Sequence, residues 1–167
     1  MKKEIKLKPI GIIHTPYKNP QDIPIQGTFN KKVKGKVTLF KKYKEGLKDI
    51  EGFSHIILIY YFHRSRKEKL VEQPYLENNE HGIFAIRSPN RPNHIGFSIV
   101  KLEKVKDNII VFSEVDILDG TPLLDIKPYV SYFDSRTNVK NGWLSSHFEK
   151  PIGQLNLKAK GKRNVKE

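Results

Sequence analysis

Short strand-like segments follow one another along this chain, and no helical stretch is long enough to serve as the crossover that parallel strands require. Lys6–His14 carries the apolar segment Ile10–Ile13 before a turn at Thr15-Pro16. Gly35–Phe40 alternates with period two, which gives a strand one wet face and one dry face. His55–His63 is continuously apolar, the pattern of a strand covered on both faces. Gly82–Arg87, Phe97–Val105 and Ile109–Leu118 follow, and Lys106-Asp107-Asn108 joins the last two as an antiparallel hairpin. Tyr129–Phe133 and Ile152–Leu157 are weaker strand candidates. Helix is confined to a turn or two at Tyr43–Ile50, with Leu47 and Ile50 inward, and one turn at Arg66–Leu70. The predicted fold is therefore mainly all-β: a small antiparallel β-barrel with long rim loops and one or two short helices. Residues 1–157 are expected to form one domain, and 158–167 a basic tail with little to bury.

A chain of 167 residues can hold a core without a metal or disulfide staple. It has no cysteine, which removes disulfides, zinc–thiolate sites and thiol nucleophiles and suits the cytosol. Met1–Lys8 alternates charged and apolar residues, unlike a signal peptide, and the longest apolar run, Ile56–Phe62, is far too short to span a bilayer. A soluble, cytoplasmic protein with no membrane contact is expected. Its 31 Lys and Arg against 18 Asp and Glu leave a formal charge of +13. Without a long basic amphipathic helix, that excess favours nucleic acid over membrane as the polyanionic partner. Lys31–Lys44 and Lys158–Lys166 carry the densest positive charge and are expected to engage RNA.

Familiar catalytic devices are missing. The chain has neither a P-loop nor a Rossmann glycine fingerprint, and neither a zincin histidine pair nor a nucleophile elbow, so no metal is expected. The most informative stretch is His81–Gly96. It starts as an apolar strand, Ile83–Ile86, and continues as a loop stiffened by Pro89 and Pro92 that presents Arg87, Ser88, Asn90, Arg91, Asn93 and His94. Gly96 then permits a turn before the next strand. So many donors on a stiff loop suit a pocket wall for a polar or anionic ligand. Thr15–Gly27, Arg64–Glu80, Ser88–Gly96 and Asp119–Pro122 each lie beyond a strand end, and antiparallel order would gather some of them on one rim. Taken singly, Asp119–Pro122 reads as a turn, His63-Arg64 as a strand end, Pro24–Gly27 as a tight loop and His55 as structural. Tyr60, Tyr61, Phe84 and Phe97 read as core.

In order along the chain, Ile10–Lys18, Pro24–Gly27, Ile50–Ile57, Tyr61–Arg64, Gly82–Gly96 and Asp116–Tyr129 resemble the TsaA-like family of TrmO-type tRNA methyltransferases. The match runs from about Ile10 to Tyr129; the bacterial tRNA enzymes carry a further C-terminal domain beyond it. The resemblance implies a small β-barrel, often homodimeric, that binds S-adenosyl-L-methionine. It also implies methyl transfer to N6 of threonylcarbamoyladenosine at position 37 of a tRNA anticodon loop. By the same resemblance the cofactor contacts fall at Gln26, Gly27, His63, Arg64, Arg87, Phe97, Asp119, Gly120, Thr121 and Pro122.

Such a reaction needs donor and acceptor aligned in a dry site, and the acceptor nitrogen relieved of its proton. His63 and Asp119 are the available bases; Asn90 and Arg91 are the available donors beside the transfer centre, Arg91 suiting a carboxylate. Two other readings stay open on the sequence: a non-catalytic barrel binding single-stranded RNA, and a methyltransferase acting on another substrate.

Overall fold

Six strands close on themselves in the computed structural model, which describes residues 4–76 and 78–147. The strands are β1 (Gly11–His14), β2 (Lys34–Leu39), β3 (His55–Tyr61), β4 (Val71–Glu72), β5 (His81–Gly82), β6 (Ile95–Lys106), β7 (Ile109–Ser113) and β8 (Thr121–Pro128). The barrel runs in the order β1, β2, β7, β6, β3, β8 and back to β1, antiparallel at every step, with β4 and β5 paired outside it. The expected antiparallel barrel is borne out. Closure removes the free edges that short strands would otherwise expose.

Alternation fills the interior. Ile13, Val37, Ile56, Leu58, Val100 and Phe112 are all completely buried, each on a different turn of the same period-two pattern. β3 shows how this works: Ile56, Leu58 and Tyr60 are buried, while Ile57 and Ile59 are only half covered, so the continuous apolar run is not dry on both faces. The predicted hairpin joins β6 to β7 through Asp107-Asn108, with Asp107 in the left-handed region at φ 55°.

Several elements differ from the sequence reading. Ile83–Ala85 is a 3-10 turn, not a strand, and only His81-Gly82 pairs, with Val71-Glu72. The buried residues there, Ile83 and Ile86, are three apart while Phe84 between them is 78% exposed, a spacing that suits a 3-10 turn. β7 stops at Ser113 because Glu114 turns left-handed at φ 64°, although Val115 and Ile117 stay buried beyond it. Arg66–Leu70 is not helical; Leu70 accepts the Ile83 amide and leads straight into β4. Ser131–Asp134 is a short helix where a strand was expected over Tyr129–Phe133, and the amide of Val130, just before it, donates to the Asp134 carboxylate at 2.8 Å. The short helical turns at Lys41–Leu47 and Ile50–Gly52 fall where expected, with Leu47 buried. Gly96 makes no turn. It pairs with Tyr60 inside the sheet, where a Cβ would come within 2.4 Å of the Tyr60 ring and 2.7 Å of the Phe62 ring. The strand expected at Ile152–Leu157 and the tail at 158–167 lie outside the described residues. Among the described residues no helix is long and apolar enough to cross a membrane.

Candidate functional site

Antiparallel order puts three connections on one end of the barrel: 15–33 after β1, 62–94 after β3 and 114–120 after β7. Thus the structure brings Gln26, Gly27, His63, Arg64, Arg87, Asp119 and Gly120 to a single rim, with Phe97, Thr121 and Pro122 at the rim ends of β6 and β8. They fall into two groups, one around Asp116 and one around His63 and Asp119, and a third group on the same rim, around Glu72, braces the Pro-rich loop.

The first group is built on Asp116. Its Oδ2 accepts the Gly27 amide at 3.3 Å and Gln26 Nε2 at 3.4 Å, while Oδ1 accepts Ser98 Oγ at 2.6 Å. Ser98 has one hydroxyl hydrogen, so the Tyr60 hydroxyl, 3.0 Å away, must donate to Ser98. The string therefore runs Tyr60 to Ser98 to Asp116 and ends on a carboxylate anchored to the 15–33 loop. Burial pushes the Asp116 carboxyl up; hydrogen bonds from Ser98 and the Gly27 amide and the charge of Arg87 pull against it. Burial likewise drives the Tyr60 hydroxyl far above its ordinary value, so it remains a donor. Gly27 is fixed by space as well as by hydrogen bonding: a Cβ there would lie 1.8 Å from the Glu114 carbonyl oxygen. Arg87 lies with its guanidinium 5.2 Å from the centre of the Phe97 ring, a cation–π pair. Phe97 is 45% exposed and alternates with the buried Ser98, so this pair faces outward while the Ser98–Asp116 string faces inward.

His63 and Asp119 make the second group. Thr121 Oγ1 donates to the Leu118 carbonyl at 2.7 Å and lies 3.4 Å from His63 Nδ1. With the threonine hydrogen committed, His63 Nδ1 is the donor in that contact, which leaves the lone pair on Nε2. Burial and the adjacent Arg64 charge hold His63 below the ordinary histidine value, only partly offset by Asp119, so the ring is neutral near pH 7. Asp119 accepts Lys18 Nζ at 2.5 Å and the Thr15 amide at 3.0 Å, and His14 lies 3.8 Å off. The Lys18 hydrogen bond holds its carboxyl below the usual range. Asp119 is thus an ionised, already paired carboxylate, and His63 is the better-placed base. Arg64 donates to the Lys18 carbonyl at 3.4 Å and ties the 62–94 loop to the 15–33 loop.

Glu72, which the sequence reading passed over, organises the third. Only 9% exposed, it accepts Lys69 Nζ at 3.0 Å, Asn90 Nδ2 at 2.8 Å and a very short hydrogen bond from Ser88 Oγ. Burial pushes its carboxyl up, but those donors outweigh it and hold it below the usual glutamate range. Asn90 also accepts Ser65 Oγ at 3.0 Å through Oδ1, and Arg91 donates to the Ile86 carbonyl at 3.0 Å. Both residues brace the Pro-rich loop. Asn93 and His94 occupy the left-handed region there, at φ 62° and 48°, a local strain that the bracing sustains. Of the aromatics read as core, Tyr60 is buried, whereas Tyr61, Phe84 and Phe97 are exposed.

Asp116 was legible as part of a motif but not as a hub, because its three donors come from Gln26, Gly27 and Ser98, far away in sequence. Glu72 had no signal beyond being a carboxylate in a loop. The donor set nonetheless suits an amino-acid-bearing nucleoside: Arg87 for a carboxylate and the exposed Phe97 face for a cation or a base.

Comparison with known proteins gives a consistent answer. The family model for the tRNA-methyltransferase O N-terminal domain matches residues 12–135. A probable S-adenosyl-L-methionine-binding protein of Pyrococcus abyssi is 56% identical over 143 residues, covering 86% of this chain and 78% of that protein. An S-adenosyl-L-methionine-binding protein of Archaeoglobus fulgidus is 40% identical over 128 residues, 77% of this chain and 91% of its own length. The human tRNA (adenine(37)-N6)-methyltransferase is 43% identical over 105 residues, 60% of this chain but 24% of that enzyme. A crystal structure of TrmO from Pseudomonas aeruginosa superposes with a TM-score of 0.73 at 34% identity, over 84% of this chain and 62% of that one.

Proposed function

The chain belongs to the tRNA-methyltransferase O N-terminal domain family, and from that premise we propose that it binds S-adenosyl-L-methionine at the three-loop rim and methylates N6 of adenosine 37 in tRNA. The observation that carries this reading is the anchoring of Gly27 on Asp116, which locks the 15–33 loop to the 114–120 loop where the charge of Arg87, from the 62–94 loop, acts on the same carboxylate. When bound, the cofactor supplies an electrophilic methyl group on a sulfonium whose departure as a neutral thioether is favourable. The chain's own residues then have three tasks. Arg87 pairs with the methionine carboxylate while Phe97 lends an aromatic face. Asp116 and Glu72 fix the loops so that donor and acceptor stay aligned, the entropic part of the catalysis. His63 receives at Nε2 the proton that N6 loses as its new bond to carbon forms.

We further propose threonylcarbamoyladenosine as the acceptor. Its carbonyl acidifies the N6–H that His63 must take, and Arg91, one of whose donors holds the Ile86 carbonyl, keeps others for the threonyl carboxylate. Asn90 acts by positioning the loop, given its hydrogen bonds to Glu72 and Ser65. A homodimer in the cytoplasm fits the same reading. Leu70, Val71, Tyr75 and Phe84 are each more than half exposed on the 62–94 connection, an apolar set suited to a second copy. Titration of S-adenosyl-L-methionine tests the cofactor site: heat should be released by the native protein and binding should weaken at least tenfold in Arg87→Ala, about 1.4 kcal/mol. A folded Arg87→Ala variant with native affinity would move the site elsewhere.

A further inference from the structure

Resting on the tRNA reading, we infer that the outer face of β2, β7 and β6 is the track along which the RNA phosphodiester backbone lies. Register makes this surface. Lys34 and Lys101 flank Ser113 from either side, and Lys36 and Lys104 flank Val111 in the next row. Lys106 pairs with Ile109 beyond them. All five lysines are exposed. Strand spacing puts the two flanks about 10 Å apart and successive rows about 7 Å apart, so the ammonium groups form a two-lane grid.

A bulge keeps the grid in phase. Strict alternation from the outward Lys101 would turn Lys104 and Lys106 into the barrel. The register shifts between Leu102 and Lys104, so Glu103 and Lys104 both face out and Val105 returns inward to the core. Within the face, Glu103 is occupied locally, accepting Ser113 Oγ at 2.6 Å with Lys101 at 3.9 Å.

The grid also leads to the right place. At the rim end it opens into a shallow cleft of about 480 Å³ lined by His14, Lys18, Lys34, Lys36 and Asp119. Asp119 is neutralised there by Lys18 and belongs to the same group as His63. A backbone laid along β7 would therefore carry its next nucleotides onto the three-loop rim. This refines the RNA-binding region expected at Lys31–Lys44: Lys34 and Lys36 join the track, whereas Lys41, Lys42 and Lys44 sit on the connection at the opposite end of the barrel.

The test replaces Lys34, Lys36, Lys101 and Lys104 together by Gln and compares this variant with one in which Lys41, Lys42, Lys44 and Lys48, all on the connection at the opposite end of the barrel, are changed to Gln, an equal loss of charge elsewhere. Affinity for unfractionated tRNA is measured against salt concentration, alongside S-adenosyl-L-methionine titration and methyl transfer by the native protein. Each lost phosphate contact should lower the slope of log affinity against log salt by about 0.7–0.9. The track variant should lose about three units of slope and at least tenfold in tRNA affinity, with cofactor binding intact; the comparison variant should lose less than one unit. Equal losses in both variants, or an unchanged slope in the first, would overturn the inference while leaving the catalytic reading in place. A native protein that binds tRNA on this track but transfers no methyl group would overturn the catalytic reading alone. A native protein that binds no tRNA overturns both.

Discussion

The backbone amide of Gly27 lies 3.3 Å from Oδ2 of Asp116, a contact between residues 89 apart in sequence that joins two of the three rim loops. Because a Cβ on Gly27 would sit 1.8 Å from the Glu114 carbonyl oxygen, the glycine is held against the 114–120 loop by both an attraction and a lack of space.

Gly27→Ala should therefore cost the rim its geometry. The clash is with backbone, which cannot swing away as a flexible side chain could. Cofactor affinity should fall at least tenfold, and thermal stability should fall with it. Gly46→Ala, where nothing lies within 4 Å of the new carbon, should leave both unchanged. Calorimetry and thermal melts on the two variants check this; equal behaviour would mean the loop relaxes freely.

Asp116 separates charge from geometry. Asp116→Ala strands the Gly27 amide and the Ser98 hydroxyl and should destabilise by about 1–3 kcal/mol for each buried group left unpaired. Asp116→Asn keeps an acceptor for Gly27, and Ser98 can accept from the new amide, which leaves one hydroxyl hydrogen of the Tyr60–Ser98 pair as the single donor stranded. It should retain most stability and most cofactor affinity. A large loss in Asp116→Asn, measured by denaturant melts, would assign the carboxylate a direct electrostatic role.

His63 predicts a pH profile. Burial and Arg64 hold its pKa below the ordinary 6.5, so the ring is already deprotonated at neutrality. Single-turnover methyl transfer should be flat from about pH 7 to 8 and fall only at pH values below the ordinary histidine range. His63→Gln should remove that acidic limb and lower the rate by about 10²-fold or more. A limb that persists in the variant would give the proton to another group.

Glu72→Ala tests the loop brace. It should free Ser88, Asn90 and Lys69 together, raising the tRNA concentration needed for half-maximal rate and lowering turnover, with a modest effect on cofactor binding. Normal kinetics at every tRNA concentration would make Glu72 only a folding residue.

How much of this could be read from the chain depends on the range of the interaction involved. Period-two runs such as Gly35–Phe40 announced their strands because alternation is local, and the Lys106–Asn108 turn announced its hairpin for the same reason. Ile83–Ile86 misled because a short apolar run carries no period of its own; only burial shows that Ile83 and Ile86 face the interior while Phe84 does not. Gly96 looked like a turn residue, yet its role is to make room for Tyr60, a partner 36 positions away by the numbering. Gln26, Gly27, His63 and Asp119 stood out through their motifs, whereas Asp116 and Glu72 acquire their importance from donors that only the closed barrel brings within reach.

The central claim is that the three-loop rim holds S-adenosyl-L-methionine for methyl transfer to adenosine 37 of tRNA. Incubating purified protein with methyl-labelled S-adenosyl-L-methionine and tRNA bearing threonylcarbamoyladenosine, then digesting to nucleosides for mass spectrometry, tests it most directly. The account predicts label on N6 of the modified adenosine from position 37, at least tenfold less of it with Arg87→Ala or His63→Gln. Label on another nucleoside, or none from a protein that still binds the cofactor, would contradict it.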